Sequence, residues 1–234
     1  MINLADFETL AHARQAIRHF RPDAIPSELL MQLLEITQLA PSGYNLQPTH
    51  LVLITDILLK EKLYKACMKQ SQILEAPAIV IFTGDRRVVE HNKEKILAQD
   101  HQAGAINAEQ EKQLRKFISL GFEQDPLGIQ WLGKALFTPL ARIFAPIPEI
   151  PAVYKRYWLA KQAMLVAMNF MLAATAAGLA TVPMEGFDEG RVKKVLGIPA
   201  YHIVALIVPV GYAASVIPHK TRLPLNQIVH KNGW

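Results

Sequence analysis

Cysteine is almost missing from this chain of 234 residues, which has only Cys67. No internal disulfide can form, so the stapled framework of small secreted domains is excluded. Charge is scarce as well: charged residues make up 19% and hydrophobic residues 51%, a balance too apolar for a disordered chain. The length suits one domain with a sizeable core. No two of the 12 glycines stand at G-x-G spacing, so the dinucleotide fingerprint of a Rossmann domain is absent. The nearest approach to a phosphate loop, Gly128 to Lys134, continues with Ala135 where a magnesium-binding hydroxyl is needed, and holds bulky Trp131 inside the cradle. There is no G-x-S-x-G, H-E-x-x-H or C-x-x-C. The eight histidines are scattered, and His91 and His101 read as surface positions of a polar helix rather than metal ligands.

The 25 Lys and Arg against 20 Asp and Glu give a net charge of +5, which favours anionic ligands. The basic residues are dispersed, and short clusters such as Arg86-Arg87, Arg115-Lys116 and Lys193-Lys194 are not interleaved with aromatics. They read as solvated helix faces, with no nucleic acid as partner. Asp6 and Glu8 stand where a signal peptide would need a basic start and an apolar run, so a cytoplasmic location is expected. Ala163 to Met184 lacks ionisable residues and approaches the ~20-residue span length. Asn169, Thr175 and Thr181, with Gly178 and Pro183 as a helix stop and loop, favour a helix buried in a core or dimer interface over a membrane span.

Hydrophobic periodicity predicts helices over 5–19, 27–39, 58–70, about 151–177 and 188–196, with Gly178 closing the long one and Asp188 capping the last. Strands are expected at 50–55, 77–84 and, third, 202–211. Residues 86–120 read as polar and helical, and Leu127 to Val153 as apolar segments broken by prolines, an insertion or lid. The whole chain, 1–234, reads as one domain, with that helical lid or insertion at about 90–150. The tail after Lys220 carries Leu223, Leu225, Ile228, Val229 and Trp234, and needs a surface to cover. Arg14 and Arg18, four apart, fall on one face of a short helix or its end. Such a pair can grip a phosphate and an electron-rich ring, although a solvated face is the commoner reading of the pair alone.

Five blocks in register change that balance: Arg14-x-x-Ile17-Arg18-x-Phe20; Ala40-Pro41-Ser42-Gly43-x-Asn45-x-Gln47-Pro48; Gly178-Leu179-x-Thr181-x-Pro183-Met184-x-Gly186-Phe187; Leu196-Gly197-Ile198-Pro199; and Val210-Gly211-Tyr212. In order and spacing the chain resembles the nitroreductase family of FMN-dependent oxidoreductases over nearly its whole length. The resemblance implies an α+β fold with a mostly antiparallel central sheet flanked by helices, in an intertwined homodimer with FMN at each interface. Arg14 matches the arginine that binds the FMN phosphate, with Ala16 where the family often has Ser and Gln15 as a possible substitute. Arg18 matches the basic residue facing the N1/C2-carbonyl edge of the flavin, where a cation stabilises the reduced form.

By the same resemblance, Pro41, Ser42, Gly43 and Asn45 belong to a loop donated by the second subunit. Pro183, Met184, Glu185 and Gly186 form the loop whose backbone approaches flavin N5, and Lys220 and Arg222 close on the phosphate. Gln72 is carried as a further cofactor contact, whereas Lys69 replaces a family Asn. No catalytic side chain and no metal is expected, because the flavin carries the chemistry. The implied reaction is ping-pong: NADH or NADPH reduces the flavin, then a nitroaromatic, quinone or similar electron-poor acceptor takes the electrons. Alternatives within the fold are reductive dehalogenation, flavin cleavage, enone reduction or non-catalytic flavin binding.

Overall fold

The computed structural model describes residues 3–122, 143–144, 154–214 and 220–234. The apolar segment from 127 to 153, expected to be a lid, lies outside the described residues apart from Ile143 and Phe144. In chain order the elements are α1 (Leu4–Ala13), α2 (Ser27–Thr37), β1 (Thr49–Ile54), α3 (Ile57–Ala66), α4 (Gln72–Glu75) and β2 (Ala78–Asp85). There follow α5 (Val88–Gln102), α6 (Ala108–Phe122), α7 (Lys155–Ala176), β3 (Ala180–Thr181), α8 (Glu189–Leu196) and β4 (His202–Gly211).

The four described strands form one sheet in the order β1-β2-β4-β3, and every pairing is antiparallel. Strand β2 is buried along its whole length, as a central strand covered on both faces must be, and this explains its unbroken apolar run. Alternation divides its side chains. Ala78, Val80 and Phe82 face α7 and α2, while Ile79 and Ile81 face a second core built with Leu63, Ile73 and Val192 from α3, α4 and α8.

The long helix α7 is a core helix. Leu159, Ala163, Val166, Ala167, Phe170, Met171 and Ala174 make a buried stripe at helical spacing, and Phe170 meets Phe82 with ring centroids 5.8 Å apart. At Gly84 an added Cβ would lie 2.9 Å from Leu159 Cβ, so glycine there lets helix and sheet approach. Gly178, at φ +75°, ends α7. The Leu179 N–H reaches back to Ala174 O and the Gly178 N–H to Thr175 O, the paired bonds of a Schellman stop.

Several sequence expectations need correction. The first helix stops at Ala13, where Arg14 is already extended, and the chain then runs beside β3, with Ala16 bridged to Thr181 and the Ile17 N–H bonded to Thr181 O at 3.0 Å. Backbone pairing with an edge strand wins over a helix that had only weak amphipathicity to hold it. Helix α3 ends at Ala66, and Met68 and Lys69 take positive φ in the turn before α4. Residues 86–120 divide into two helices around Gly104, φ +68°. The strand at 202–211 is the fourth, because two-residue β3 is too short to leave a periodic signal.

Candidate functional site

The extended segment after α1 sets the first half of the site. In a strand-like backbone, residues two and four apart fall on one face, so the extended segment around the Ala16 bridge puts Arg14 and Arg18 at equivalent positions without a helix. Gln15 and Ile17 line a cleft of about 190 Å³ with Ala13, Thr175, Gly178 and Ala213.

Onto this segment comes the tail. Lys220 Nζ donates to Ala11 O at 2.5 Å and to Arg14 O at 3.3 Å, so residues 206 apart in sequence meet. Burial, then the neighbouring charges of Arg14 and Arg222, push the Lys220 pKa below its ordinary value. Among the described residues no carboxylate pairs with Arg14, Arg18, Lys220 or Arg222, whereas Arg115, Arg156 and Arg191 each have an acidic partner. Three cations close enough for Arg14 and Arg222 to act on Lys220 offer positive charge to an anionic group such as a phosphate.

Beyond Thr181 the chain continues to the loop of Pro183, Met184, Glu185 and Gly186. Met184 exchanges two backbone hydrogen bonds with Ile207, at 2.8 and 3.1 Å, which anchors the loop to the sheet. Gln70 Nε2 donates to Gly186 O at 2.7 Å and to Cys67 O at 3.1 Å. Gln72, buried, donates to Gln70 Oε1 at 3.0 Å and faces Met184 Sδ at 3.5 Å. A Cβ on residue 186 would lie 3.0 Å from Gln70 Nε2, so glycine leaves room for this contact. The resemblance pointed to Gln72 but missed Gln70, whose only sequence signal is its place two residues earlier in a polar turn. Cys67 underneath is fully buried, and burial pushes its thiol up to about 11, which leaves it an inert packing group.

The loop of Pro41, Ser42, Gly43 and Asn45 is not beside these residues in the same chain. It is held near the N-terminal half of α7, where the Gly43 N–H donates to Gln162 Oε1 at 2.8 Å and an added Cβ on residue 43 would meet Trp158 at 3.2 Å. Ser42 Oγ accepts from the Gln47 N–H at 2.9 Å. Asn45 Nδ2 donates to Asp100 Oδ1 at 3.0 Å, while its Oδ1 accepts from Gln47 Nε2 at 3.2 Å. The Asn45 carboxamide is thus occupied at both ends. Asn92 Nδ2 fastens the loop from below through Leu46 O and Gln47 O. Gln162 and Asp100 carry no motif, and Gln162 is visible in sequence only as a polar residue inside an apolar helix. The 13 residues from Gln162 to Thr175 span about 20 Å of helix at 1.5 Å each, so the two halves of the expected site stand at opposite ends of α7.

A family model described as the nitroreductase family matches residues 11–212. A protein of Thermus thermophilus named NADH dehydrogenase is 28% identical over 224 residues, covering 96% of this chain and 95% of its own. The crystal structure of ydfN from Bacillus subtilis superposes with a TM-score of 0.76 at 28% identity, covering 97% of this chain and 99% of that one. A structure from Exiguobacterium sibiricum in complex with FMN has the same fold, with a TM-score of 0.71 at 22% identity and 96% of each chain covered. With the antiparallel sheet and the family match over residues 11–212 in agreement, the chain belongs to the nitroreductase family and is an oxidoreductase that uses FMN and NAD(P)H.

Proposed function

We propose that the chain acts as a homodimer with FMN bound across each subunit interface, passing electrons by a ping-pong sequence from NADH or NADPH to nitroaromatics, quinones or similar electron-poor acceptors. The observation that carries this reading is the division of the site. The phosphate-suited cluster of Arg14, Lys220 and Arg222 and the Pro41–Asn45 loop stand about 20 Å apart along α7, and pairing two chains antiparallel about a two-fold axis can bring one half of each together. The surface has the apolar area such a pairing needs. Leu165 and Met168 of α7 and Met31 and Leu39 of the α2 region are exposed at 47%, 43%, 53% and 77%, a concentration that marks an interaction surface.

FMN held here would supply two-electron, hydride-transfer chemistry. Arg14, Lys220 and Arg222 would hold its phosphate, with Gln15 standing in for the hydroxyl that Ala16 lacks. Arg18 would stand at the N1/C2-carbonyl edge, where a cation stabilises negative charge. Gln70, through Gly186 O, and Gln72, through Met184 Sδ, would steady the loop of Pro183, Met184, Glu185 and Gly186 on the N5 side. Pro41, Ser42, Gly43 and Asn45 of the second subunit close the other side. Orientation and charge complementarity are the protein's contribution, and no side-chain nucleophile takes part. A cytoplasmic location accords with a single, buried thiol.

The test is direct. Purified protein is expected to be yellow, to release FMN rather than FAD on denaturation, and to sediment as a dimer. Stopped-flow half-reactions with NAD(P)H and with a quinone should each proceed without the other substrate present. A colourless chain that cannot be reconstituted with FMN, or a flavinated monomer, overturns the proposal.

A further inference from the structure

We propose that His50, Asp85 and His202 form a binding site for one divalent transition-metal ion of the Zn²⁺ type, at the end of the sheet remote from the phosphate cluster. One ligating atom from each of the three lies within 4.8 Å of those of the other two. They come from three neighbouring strands. Asp85 and His202 are direct partners across β2 and β4, and His50 pairs with Thr83, two residues before Asp85. With a period of two, Thr83, Asp85, His50 and His202 therefore share one face of the sheet. A register shift between Phe82 and Thr83 marks a bulge just before the site, a feature that re-aims side chains. From His202 to Val210, where β4 meets β3, eight residues of strand span about 26 Å, so the cluster is separate from the cationic one.

The surrounding hydrogen bonds prepare these groups as ligands. Thr83 Oγ1 lies 3.2 Å from His50 O and 3.1 Å from His202 Nδ1. With its single proton on the carbonyl, Thr83 accepts from His202 Nδ1–H, the tautomer that frees Nε2. His202 Nε2 then keeps a lone pair and has no hydrogen-bond partner among the described residues. A metal-bound imidazole is oriented in this way by the bond its other nitrogen makes. Asp85, wholly buried, is fixed at both oxygens: Oδ1 accepts from the Arg87 N–H at 2.7 Å and Oδ2 from His91 Nδ1 at 2.6 Å. Each oxygen keeps a further lone pair.

His50 is the exposed, adjustable member, and its ring meets that of His202 edge to face with centroids 4.9 Å apart. Ligands about 2.0–2.1 Å from a tetrahedral ion stand about 3.3 Å from one another, so the three groups, within 4.8 Å now, close by at most about 1.5 Å, with exposed His50 the freest to move. Two imidazoles and a carboxylate suit Zn²⁺ or Co²⁺ rather than Mg²⁺ or Ca²⁺, which take oxygen donors. A fourth position remains for water on the His50 side. Because the site joins the start of β1 to the end of β2 and the start of β4, the bound ion would cross-link the sheet just behind the Pro41–Pro48 loop.

The experiment uses tag-free, flavin-loaded protein, stripped with a chelator and titrated with Zn²⁺ against a chromogenic competitor, with bound metal counted by mass spectrometry. One Zn²⁺ per chain is expected, with no comparable uptake of Mg²⁺, and Co²⁺ should give the intense visible bands of a tetrahedral site. Zn²⁺ should raise the Tm of the wild type. His50→Gln, at an exposed position, should keep its flavin and its metal-free Tm but bind Zn²⁺ at least tenfold more weakly and lose the Tm rise. His202→Gln should behave likewise toward metal, and His101→Gln, on α5 outside the cluster, should bind as the wild type does. Absence of stoichiometric uptake, or Zn²⁺ binding undiminished in His50→Gln, overturns the proposal and leaves Asp85 and His91 as a structural hydrogen-bonded pair.

Discussion

Arg18 is exposed on the extended segment beside β3 and has no acidic partner among the described residues, so its charge is available to a ligand. If it faces the flavin edge, a charge-assisted hydrogen bond of ~1.5–3 kcal/mol favours the reduced form. Arg18→Ala should then lower the two-electron potential by about 30–60 mV and slow reduction by NAD(P)H, as read by dye-equilibrated potentiometry and stopped flow. An unchanged potential would place Arg18 away from the ring. Gln70 acts one layer further out. Its hydrogen bonds to Gly186 O and Cys67 O tie the N5-side loop to the turn after α3, and Gln70→Ala should cost about 1 kcal/mol in stability. It should also weaken FMN retention in equilibrium dialysis, whereas a purely structural role would lower the Tm alone.

Among the elements, α8 is held by more than packing. Its Glu189 accepts from Arg156 Nη2 at 2.8 Å and from the Val204 N–H at 3.1 Å, and pairs with Lys193 at 2.8 Å. Burial alone would raise its pKa, but the hydrogen bonds from Arg156, Lys193 and Val204 outweigh that and hold the carboxyl at about 2. A carboxylate depressed in the folded state stabilises it above the ordinary value of 4.5, and that contribution fades as pH falls toward 2. Glu189→Gln should therefore unfold more easily than wild type at pH 7, and the difference should shrink steadily between pH 5 and pH 2 in urea titrations. A gap that stays constant over that range would mean the carboxylate is not ionised preferentially in the native state. The α5–α6 pair is clamped similarly, with Arg115 bridging Glu94 and Glu111 at 2.8 Å each, and α5 in turn holds the Pro41–Pro48 loop through Asn92 and Asp100.

At the scale of the whole molecule, one chain leaves too much apolar surface unpaired. The tail exposes Leu223 at 65%, Leu225 at 70%, Ile228 at 58% and Trp234 fully, although this composition favours burial. The proposed dimer gives that segment a partner surface, and Lys220 at its root touches Arg14, so association and phosphate binding share structure. Deleting residues after Leu223 should weaken both the dimer and FMN retention, in sedimentation velocity and in flavin content. A truncated chain that stays dimeric and fully flavinated would show that the tail serves neither.

The sequence by itself determined the helices and strands with long periodic patterns, the core role of α7, and the motif residues that mark the family, because hydrophobic period and local turn chemistry are written within a few residues of each other. It misjudged Arg14 to Phe20 because local periodicity cannot report an edge strand formed by Thr181, more than 160 residues away. Only the tertiary structure decided which polar residues meet. Lys220 reaches Arg14 across the chain, and Gln70 finds Gly186. His50, Asp85 and His202, scattered in sequence, converge because antiparallel register and a bulge put them on one sheet face. Such contacts depend on how strands pair and helices pack, which no window of neighbouring residues encodes.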